Sequence, residues 1–314
     1  MTAIPDLATI RAAAAAIAGQ VRRTPMIAAE HDKVALPGEV HLKLECLQVT
    51  GSFKARGALN TLRTLSPAEI TRGIITASGG NHGLAVAYAG HVAKTPATIF
   101  LPTNVPPAKI AKLEAWGAKV VVEGAVWDDA NKAALARAAE EALTYIHPFA
   151  DPRVIAGQGT LGVELLEQAP DLDTVLVAIG GGGLISGVAL ALKALKPALK
   201  VIGIEPSGAP TLYESVRAKR LVELRHIDTA AGTLAPRMSA PLNLQIITKH
   251  VDEIFLVSDD HMRAAARWLW FEHGVAAELS GAASVAALLS GRYKPREGER
   301  VCALVCGAGS DGIG

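Results

Sequence analysis

The residues best suited to chemistry surround a lysine, in the stretch Gly51-Ser52-Phe53-Lys54-Ala55-Arg56-Gly57. An alternating run before it predicts a strand and a periodic run after it predicts a helix, so Lys54 lies at or near a helix start. The positive end of the helix dipole and the neighbouring Phe53 ring both favour a neutral amine. A neutral lysine is a nucleophile that can form a Schiff base, which makes Lys54 the candidate catalytic residue. From this stretch alone, a solvated lysine in the first turn of a helix remains the alternative.

A second feature is the run of glycines from Gly180 to Gly183, which follows a buried strand and begins a helix at Leu184. Backbone N–H groups can converge on an anion there, and the helix dipole adds positive potential, so the loop predicts a phosphate site. The Gly-Lys-Ser/Thr of a P-loop is missing, and so is the spacing Gly-x-Gly-x-x-Gly. A nucleotide-binding protein, with Glu205 on the ribose, is therefore a distant alternative.

A third feature is the turn Ser78-Gly79-Gly80-Asn81-His82, again between a predicted strand and a predicted helix. Its free N–H groups, hydroxyl, amide and imidazole suit a carboxylate or another small anion. The alternative is a serine cap beside an asparagine and a histidine with structural roles.

The elements that must position these turns alternate along the chain. Periodicity predicts strands near 39–45, 73–77, 97–101, 119–123, 144–147, 173–179, 200–205, 253–257 and 301–305, and helices near 8–20, 54–65, 84–92, 106–116, 130–143, 154–168, 184–195, 259–273 and 281–290. A capping box from Ser66 to Glu69 predicts a further short turn or helix. Such alternation is typical of an α/β protein with parallel sheets and helices on both faces. We predict two domains, a large one from residues 1–73 plus 146–314 and a small one from residues 74–145.

Composition excludes several classes of protein. The 314 residues carry a net charge of only +1, and aromatic residues make up 4%, so nothing favours a nucleic-acid partner. The amino terminus lacks a basic region, and glycines interrupt the longest uncharged run, which argues against a secretory signal and a membrane span. The three cysteines form neither a disulfide framework nor a zinc pattern. A reducing, cytoplasmic location is therefore expected.

Taken together, the motifs resemble one family, the pyridoxal phosphate enzymes of fold type II, in the branch of the serine/threonine dehydratases and serine racemases. The resemblance implies a tryptophan synthase β-like fold with two domains. The motifs that carry it occur in family order: Arg23-Thr24-Pro25, Gly51 to Gly57, Ser78 to Gly83, Ile155 to Thr160, Gly180 to Gly183, Glu205-Pro206-Ser207 and Cys306-Gly307.

The resemblance also implies residue roles. Lys54 would bind pyridoxal 5'-phosphate covalently, Phe53 would pack on its ring, Asn81 would bond its 3'-oxygen, and Cys306 would face its pyridine nitrogen. The cofactor-binding set is then Phe53, Lys54, Asn81, Gly180, Gly181, Gly182, Gly183, Leu184 and Cys306. The set for the substrate carboxylate is Ser78, Gly79, Gly80, Asn81 and His82.

The implied reaction is loss of water from threonine or serine, giving a 2-oxo acid and ammonia. Racemases of the branch resemble Ser-Ser-Gly-Asn-His at the third feature, and the second Ser is Gly79 here, which argues against racemisation. Glu205 and Ala209 of a divalent-cation pattern are kept, but Thr211 stands where an Asp is usual, so a metal is not expected. The usual Ala-Asp-Gly reads Ala230-Ala231-Gly232, which leaves hydroxyaspartate, phenylserine or another 3-hydroxy amino acid as alternative substrates. An amino-acid racemase and a β-replacement enzyme are the alternative enzymes.

Two further expectations follow from the resemblance. The chain is expected to form a homodimer or a larger homo-oligomer that acts on a free amino acid. The sequence ends shortly after the predicted strand at 301–305, so no regulatory domain is expected.

Overall fold

Two open sheets organise the chain in a computed structural model that describes residues 3–30, 32–36 and 38–309. The larger sheet has the order β1-β2-β10-β7-β8-β9, and the smaller has the order β5-β4-β3-β6. The strands are β1 Met26–Ala28, β2 Glu39–Leu44, β3 Ile74–Ala77, β4 Ala97–Leu101, β5 Lys119–Val122, β6 Thr144–Tyr145, β7 Thr174–Ala178, β8 Lys200–Pro206, β9 Glu253–Val257 and β10 Arg300–Val305.

Helices connect these strands. They are α1 Leu7–Ile17, α2 Lys54–Arg63, α3 Pro67–Arg72, α4 Asn81–Ala93, α5 Pro107–Glu114, α6 Trp127–Glu140, α7 Pro152–Gln168, α8 Gly183–Leu195, α9 Thr211–Ala218, α10 Pro241–His250, α11 Asp259–His273 and α12 Leu279–Leu289. Capping chemistry sets some of the starts, since Ser66 and Glu69 form a reciprocal capping box at α3. Among the described residues, no helix is long and apolar enough to cross a bilayer.

Helices cover both faces of each sheet, so the central strands are apolar throughout. Every residue of β7 is buried, as expected for a parallel strand with helices on both sides. In β3, Ile74 belongs to the core shared with α4, and Ile75 belongs to the core shared with α6. This alternation fixes the register of the smaller sheet, because a slip of one residue would exchange the two faces.

The predicted α/β architecture with parallel sheets is confirmed, with one exception at the edge. All pairs in the two sheets are parallel except that β1 runs antiparallel to β2. The strands of the smaller sheet lie within residues 74–145 and those of the larger sheet lie outside this range. On this arrangement we keep the division into a small domain of residues 74–145 and a large domain as a proposal.

The sequence pattern missed three elements and misjudged one. It did not predict β1, α9 or α10, and the strand expected over residues 144–147 ends at Tyr145. The chain turns there because the Nδ1 atom of His147 accepts hydrogen bonds from the amides of Phe149, at 3.1 Å, and Ala150, at 2.8 Å. This turn proves to be part of the candidate site.

Candidate active site

Lys54 is the first residue of α2, as the sequence predicted. Its Nζ atom donates a hydrogen bond to the carbonyl oxygen of Pro148 at 2.7 Å, and it lies 5.2 Å from the centre of the Phe53 ring. Burial lowers the pKa of the Lys54 amine to about 8. Desolvation, which penalises the charged form, is the main cause of this shift. The sequence indicated the helix dipole and the neighbouring Phe53 ring as the causes. The neutral amine is the nucleophilic form.

A buried ion network holds the start of α2 in place. The Arg56 guanidinium donates to both oxygens of Glu45 at 2.8 Å and to Glu164 at 2.9 Å. Lys43 donates to the other oxygen of Glu164 at 2.5 Å, which balances the charges. All of these side chains are buried. Arg56 lies two residues after Lys54, so the network fixes the lysine relative to β2 and α7.

The glycine loop leads from β7 into α8 and has no room for side chains. A methyl group on Gly181 would lie 2.3 Å from the ring of Phe149, and one on Gly180 would lie 2.9 Å from the carbonyl oxygen of Thr233. Gly182 has a φ of +91°, a left-handed conformation that favours glycine. The first-turn amides of α8 have no partner within the helix, so the loop and helix together present N–H groups as the sequence predicted.

One short turn connects the lysine to the glycine loop. Pro148 accepts the hydrogen bond from Lys54, and the next residue, Phe149, packs against Gly181 and Gly183. His147 orders this turn through its ring nitrogen, and burial lowers the pKa of His147 to about 4, which keeps the ring neutral and able to accept. Nothing in the sequence singled out His147 or Phe149, because their role depends on contacts with distant segments.

The turn at Ser78 lies at the carboxyl end of β3, immediately before α4. The Ser78 hydroxyl accepts a hydrogen bond from the Gly80 amide at 3.3 Å. A methyl group on Gly80 would meet nothing within 4 Å, so this part of the turn borders open space. The free first-turn amides of α4 therefore lie beside a space that could admit a small anion.

The His82 side chain is engaged within the smaller sheet. Its Nε2 atom lies 2.9 Å from the Ile146 carbonyl oxygen and 3.1 Å from the Thr76 hydroxyl. Burial lowers the pKa of His82 to about 3, so the ring is neutral. If His82 binds a carboxylate, as the family resemblance implies, its backbone amide is the group suited to do so.

Asn81 bonds to a carboxylate that the sequence reasoning missed. Its Nδ2 atom donates to Glu278 at 2.6 Å, while its buried Oδ1 atom has no partner among the described residues. Glu278 precedes α12 and its sequence context shows no more than an ordinary helix start. Only the tertiary structure brings it next to Asn81.

Cys306 directly follows β10, and its thiol lies 3.6 Å from the carbonyl oxygen of Ser280. Burial raises the pKa of the Cys306 thiol, so the thiol is protonated at neutral pH. A neutral thiol is what the resemblance leads us to expect opposite a pyridine nitrogen.

Glu205 is engaged in a structural contact. Its two carboxylate oxygens accept hydrogen bonds from backbone amides in the first turn of α9, from Leu212 at 2.8 Å and from Tyr213 at 2.7 Å. Ala209 is fully buried nearby. Within the described part of the chain, no group of three or more His, Cys, Asp and Glu residues could hold a metal ion. The same contacts leave Glu205 unavailable for a nucleotide ribose.

Comparison with known proteins agrees with this geometry. The chain is 40% identical over 87% of its length to the L-threonine ammonia-lyase of Thermotoga maritima, of which it covers 68%. It is 36% identical over 99% of its length to the phenylserine dehydratase of Ralstonia pickettii, of which it covers 95%. The structure of maize serine racemase superposes with a TM-score of 0.93 at 34% identity, covering 98% of this chain and 94% of that one.

Residues 17–307 match the family described as pyridoxal-phosphate dependent enzyme. This range includes the lysine stretch, both strand-to-helix turns and Cys306, so the match covers the whole candidate site. On these grounds the chain belongs to the pyridoxal-phosphate dependent enzymes.

Proposed function

We propose that this chain is a pyridoxal phosphate-dependent lyase that removes water from threonine or serine and yields a 2-oxo acid and ammonia. The observation that carries the proposal is the amine of Lys54, whose pKa is lowered to about 8 and which bonds to the turn packed against the glycine loop. The similarity to a threonine ammonia-lyase at 40% identity supports the same reaction class.

The residues present fit the cofactor. Gly180 to Leu184 offer backbone amides and no side-chain bulk to a phosphate, and Lys54 offers an amine to an aldehyde. The Oδ1 atom of Asn81 has no partner among the described residues, and it can accept a hydrogen bond from a hydroxyl substituent of the ring. When bound, pyridoxal phosphate supplies an electron sink for the negative charge that develops at the substrate Cα.

The chain's own groups account for binding and proton transfer. The amides of the 78–82 turn bind and orient the substrate carboxylate, and the neutral Lys54 amine removes the proton from Cα. Hydroxide then leaves from Cβ and takes up the proton that Lys54 removed from Cα, so that one water molecule is released and the amine is neutral again. The released enamine then reacts with water to give the 2-oxo acid and ammonia. This hydrolysis consumes one water molecule, which equals the one released at Cβ.

The test is a spectrum and a coupled assay on the purified full chain. We expect a yellow protein whose colour is fixed by borohydride, and 2-oxobutanoate formation from threonine. Lys54→Ala should lose both properties. Lys219→Ala, at the exposed residue that directly follows α9, should keep them. A colourless protein that does not respond to added pyridoxal phosphate would refute the proposal.

A dehydratase of a bulkier substrate is the second candidate. It is favoured by the similarity to phenylserine dehydratase over nearly the full length of both chains. It is also favoured by the buried Ala231, which replaces the Asp of the usual Ala-Asp-Gly motif. Ammonia release from threonine, serine, phenylserine and 3-hydroxyaspartate in parallel distinguishes the candidates. A kcat/KM for phenylserine above that for threonine would favour the second.

For the intact enzyme we propose a cytoplasmic homodimer without a divalent cation. The three cysteines are free and buried, which is compatible with a reducing compartment. Light scattering during gel filtration measures the mass, and a monomer at assay concentration would contradict the dimer. Because the proposal requires no divalent cation, we expect full activity after treatment with a chelator.

A further inference from the structure

Two polar side chains outside the glycine loop hold the carbonyl group of Gly181 in one orientation. The Ser239 hydroxyl donates a hydrogen bond to the carbonyl oxygen of Gly181 at 2.9 Å, and the Asn243 Nδ2 atom donates to the same oxygen at 2.7 Å. Ser239 is 6% exposed and Asn243 is fully buried. A carbonyl oxygen accepts two hydrogen bonds, so this one is fully satisfied and held from the side of α10.

This contact fixes the direction of an amide as well. A trans peptide group is planar, and its C=O and N–H bonds point in opposite directions. The carbonyl of Gly181 and the N–H of Gly182 belong to one such group. Because the carbonyl points toward α10, the N–H of Gly182 points away from it. Gly182 is the N-cap residue of α8, and the first amides of that helix have no partner within it.

Asn243 also links the loop to the rest of the candidate site. Its Nδ2 atom donates to the carbonyl oxygen of Phe149 at 3.1 Å. The two hydrogen-bond partners of Asn243 Nδ2 are carbonyl oxygens, which only accept. The NH₂ group of the Asn243 side chain must therefore face them. Phe149 follows Pro148, which accepts the hydrogen bond from Lys54. One asparagine thus holds the loop and the turn beside the lysine at a fixed separation.

We propose that Asn243 and Ser239 are positioning residues that orient the glycine-loop amides toward the phosphate of the cofactor. This inference rests on the proposed function, in which the loop binds that phosphate. Both residues donate to the carbonyl of Gly181, and Asn243 also donates to the carbonyl of Phe149. Loss of the Ser239 hydroxyl is therefore expected to weaken recognition of the phosphate alone. Loss of the Asn243 amide is expected to weaken recognition of the phosphate more than the reaction of Lys54 with the aldehyde.

The test compares two aldehydes that differ only in the phosphate. The full chain, freed of cofactor, is titrated with pyridoxal phosphate and with pyridoxal, and binding is followed by the absorbance of the Schiff base. In Asn243→Leu and in Ser239→Ala we expect the Kd for pyridoxal phosphate to rise about 10-fold, as for the loss of a buried hydrogen bond. In Ser239→Ala the Kd for pyridoxal should not change. In Asn243→Leu, which also loses the bond to Phe149, the Kd for pyridoxal should rise by less than the Kd for pyridoxal phosphate. Ser239→Thr keeps the hydroxyl and should restore the affinity.

Matched variants control for the loss of a buried bond as such. Asn60 donates to the Arg153 carbonyl at 2.7 Å and Ser290 donates to the Ala286 carbonyl at 2.6 Å, both away from the loop. Asn60→Leu and Ser290→Ala should leave the ratio of the two Kd values as in the wild type. If Asn243→Leu does not fold, Ser239→Ala and its threonine rescue carry the comparison.

The outcomes separate this inference from the proposed function. An equal loss of affinity for both aldehydes, or no loss for either, would overturn the positioning role of Asn243 and Ser239. A wild type that binds pyridoxal as tightly as pyridoxal phosphate would instead refute the phosphate role of the loop, and with it both proposals.

Discussion

The chemistry of Lys54 depends on the removal of water from around a single amine. An ammonium group loses hydration when it is buried, so its neutral form is favoured and its pKa falls. The hydrogen bond to the Pro148 carbonyl can be made by both forms of the amine, and the nearby groups of Cys306 and Glu278 offset only part of the desolvation. A larger fraction of this amine is therefore neutral near pH 7 than of a solvated lysine.

The first prediction concerns the protonation of Lys54. The pKa is lowered to about 8 from the ordinary 10.5, so the neutral fraction rises at lower pH than it would for a solvated lysine. We expect trace acetylation of the cofactor-free chain to modify Lys54 with a midpoint near pH 8, read by mass spectrometry with the exposed Lys219 as internal reference. A midpoint above pH 10 would show that the amine is solvated.

The second prediction concerns the missing hydroxyl at Gly79. A methyl group there would lie 3.1 Å from the Leu101 side chain, a contact that a small shift can relieve. Gly79→Ser should therefore fold and, by analogy with the racemase motif, should give measurable D-serine from L-serine by chiral chromatography. Gly79→Ala adds similar bulk without a proton donor and should give none. A well-folded serine variant without D-product would contradict our interpretation of this turn.

At the scale of elements, the position of α2 depends on charges that are buried together. Arg56 contacts Glu45 from the end of β2 and Glu164 from α7, so three segments meet at one guanidinium. Replacement of the whole network by apolar residues could be tolerated, but removal of a single member leaves a buried charge without its partner. The network therefore favours one orientation of the helix that carries the lysine.

The third prediction tests this network. Arg56→Met should lower the free energy of unfolding by about 3–5 kcal/mol, since Glu45 would stay buried without its guanidinium partner and Glu164 would keep Lys43 as its ion-pair partner. Arg23→Met is the matched control, because the Arg23–Glu167 pair also joins the amino-terminal part to α7 but is 55% and 54% exposed. Its removal should cost at most about 1 kcal/mol. Urea unfolding measures both, and equal losses would refute the assigned importance of the buried network.

At the scale of the whole molecule, the site lies where the two sheets approach each other. Lys54, the glycine loop and Cys306 belong to segments around the larger sheet, whereas the 78–82 turn belongs to the smaller one. The hydrogen bond from Asn81 to Glu278 joins the two parts at 2.6 Å. If the proposed site is correct, we expect activity to depend on how the smaller sheet is held against the larger.

The fourth prediction concerns this contact. Glu278→Ala removes the acceptor for Asn81 and should lower kcat/KM by on the order of 10-fold or more, the usual effect of losing a hydrogen bond to a charged group. Glu278→Gln keeps an acceptor and should retain most of the activity. Steady-state assays of ammonia release, with melting temperature as a check on folding, provide the comparison. Equal activity in all three proteins would contradict a role for the contact.

The sequence by itself determined the α/β class, the position of Lys54 at a helix start and the two glycine-containing turns between strand and helix. These are local properties, because periodic burial, glycine runs and helix starts depend on neighbours in the chain. It missed β1, α9 and α10, whose short segments lack a strong period and are held by contacts with distant residues.

Only the tertiary structure decided which side chains support the site. Glu278, Ser239 and Asn243 show no signal in the sequence, since each bonds to a group far away along the chain. His147 orders a local turn, and only the packing of distant segments places that turn between Lys54 and the glycine loop. The same holds for the cause of the lysine's lowered pKa, because burial is produced by the packing of separate segments and no local pattern encodes it.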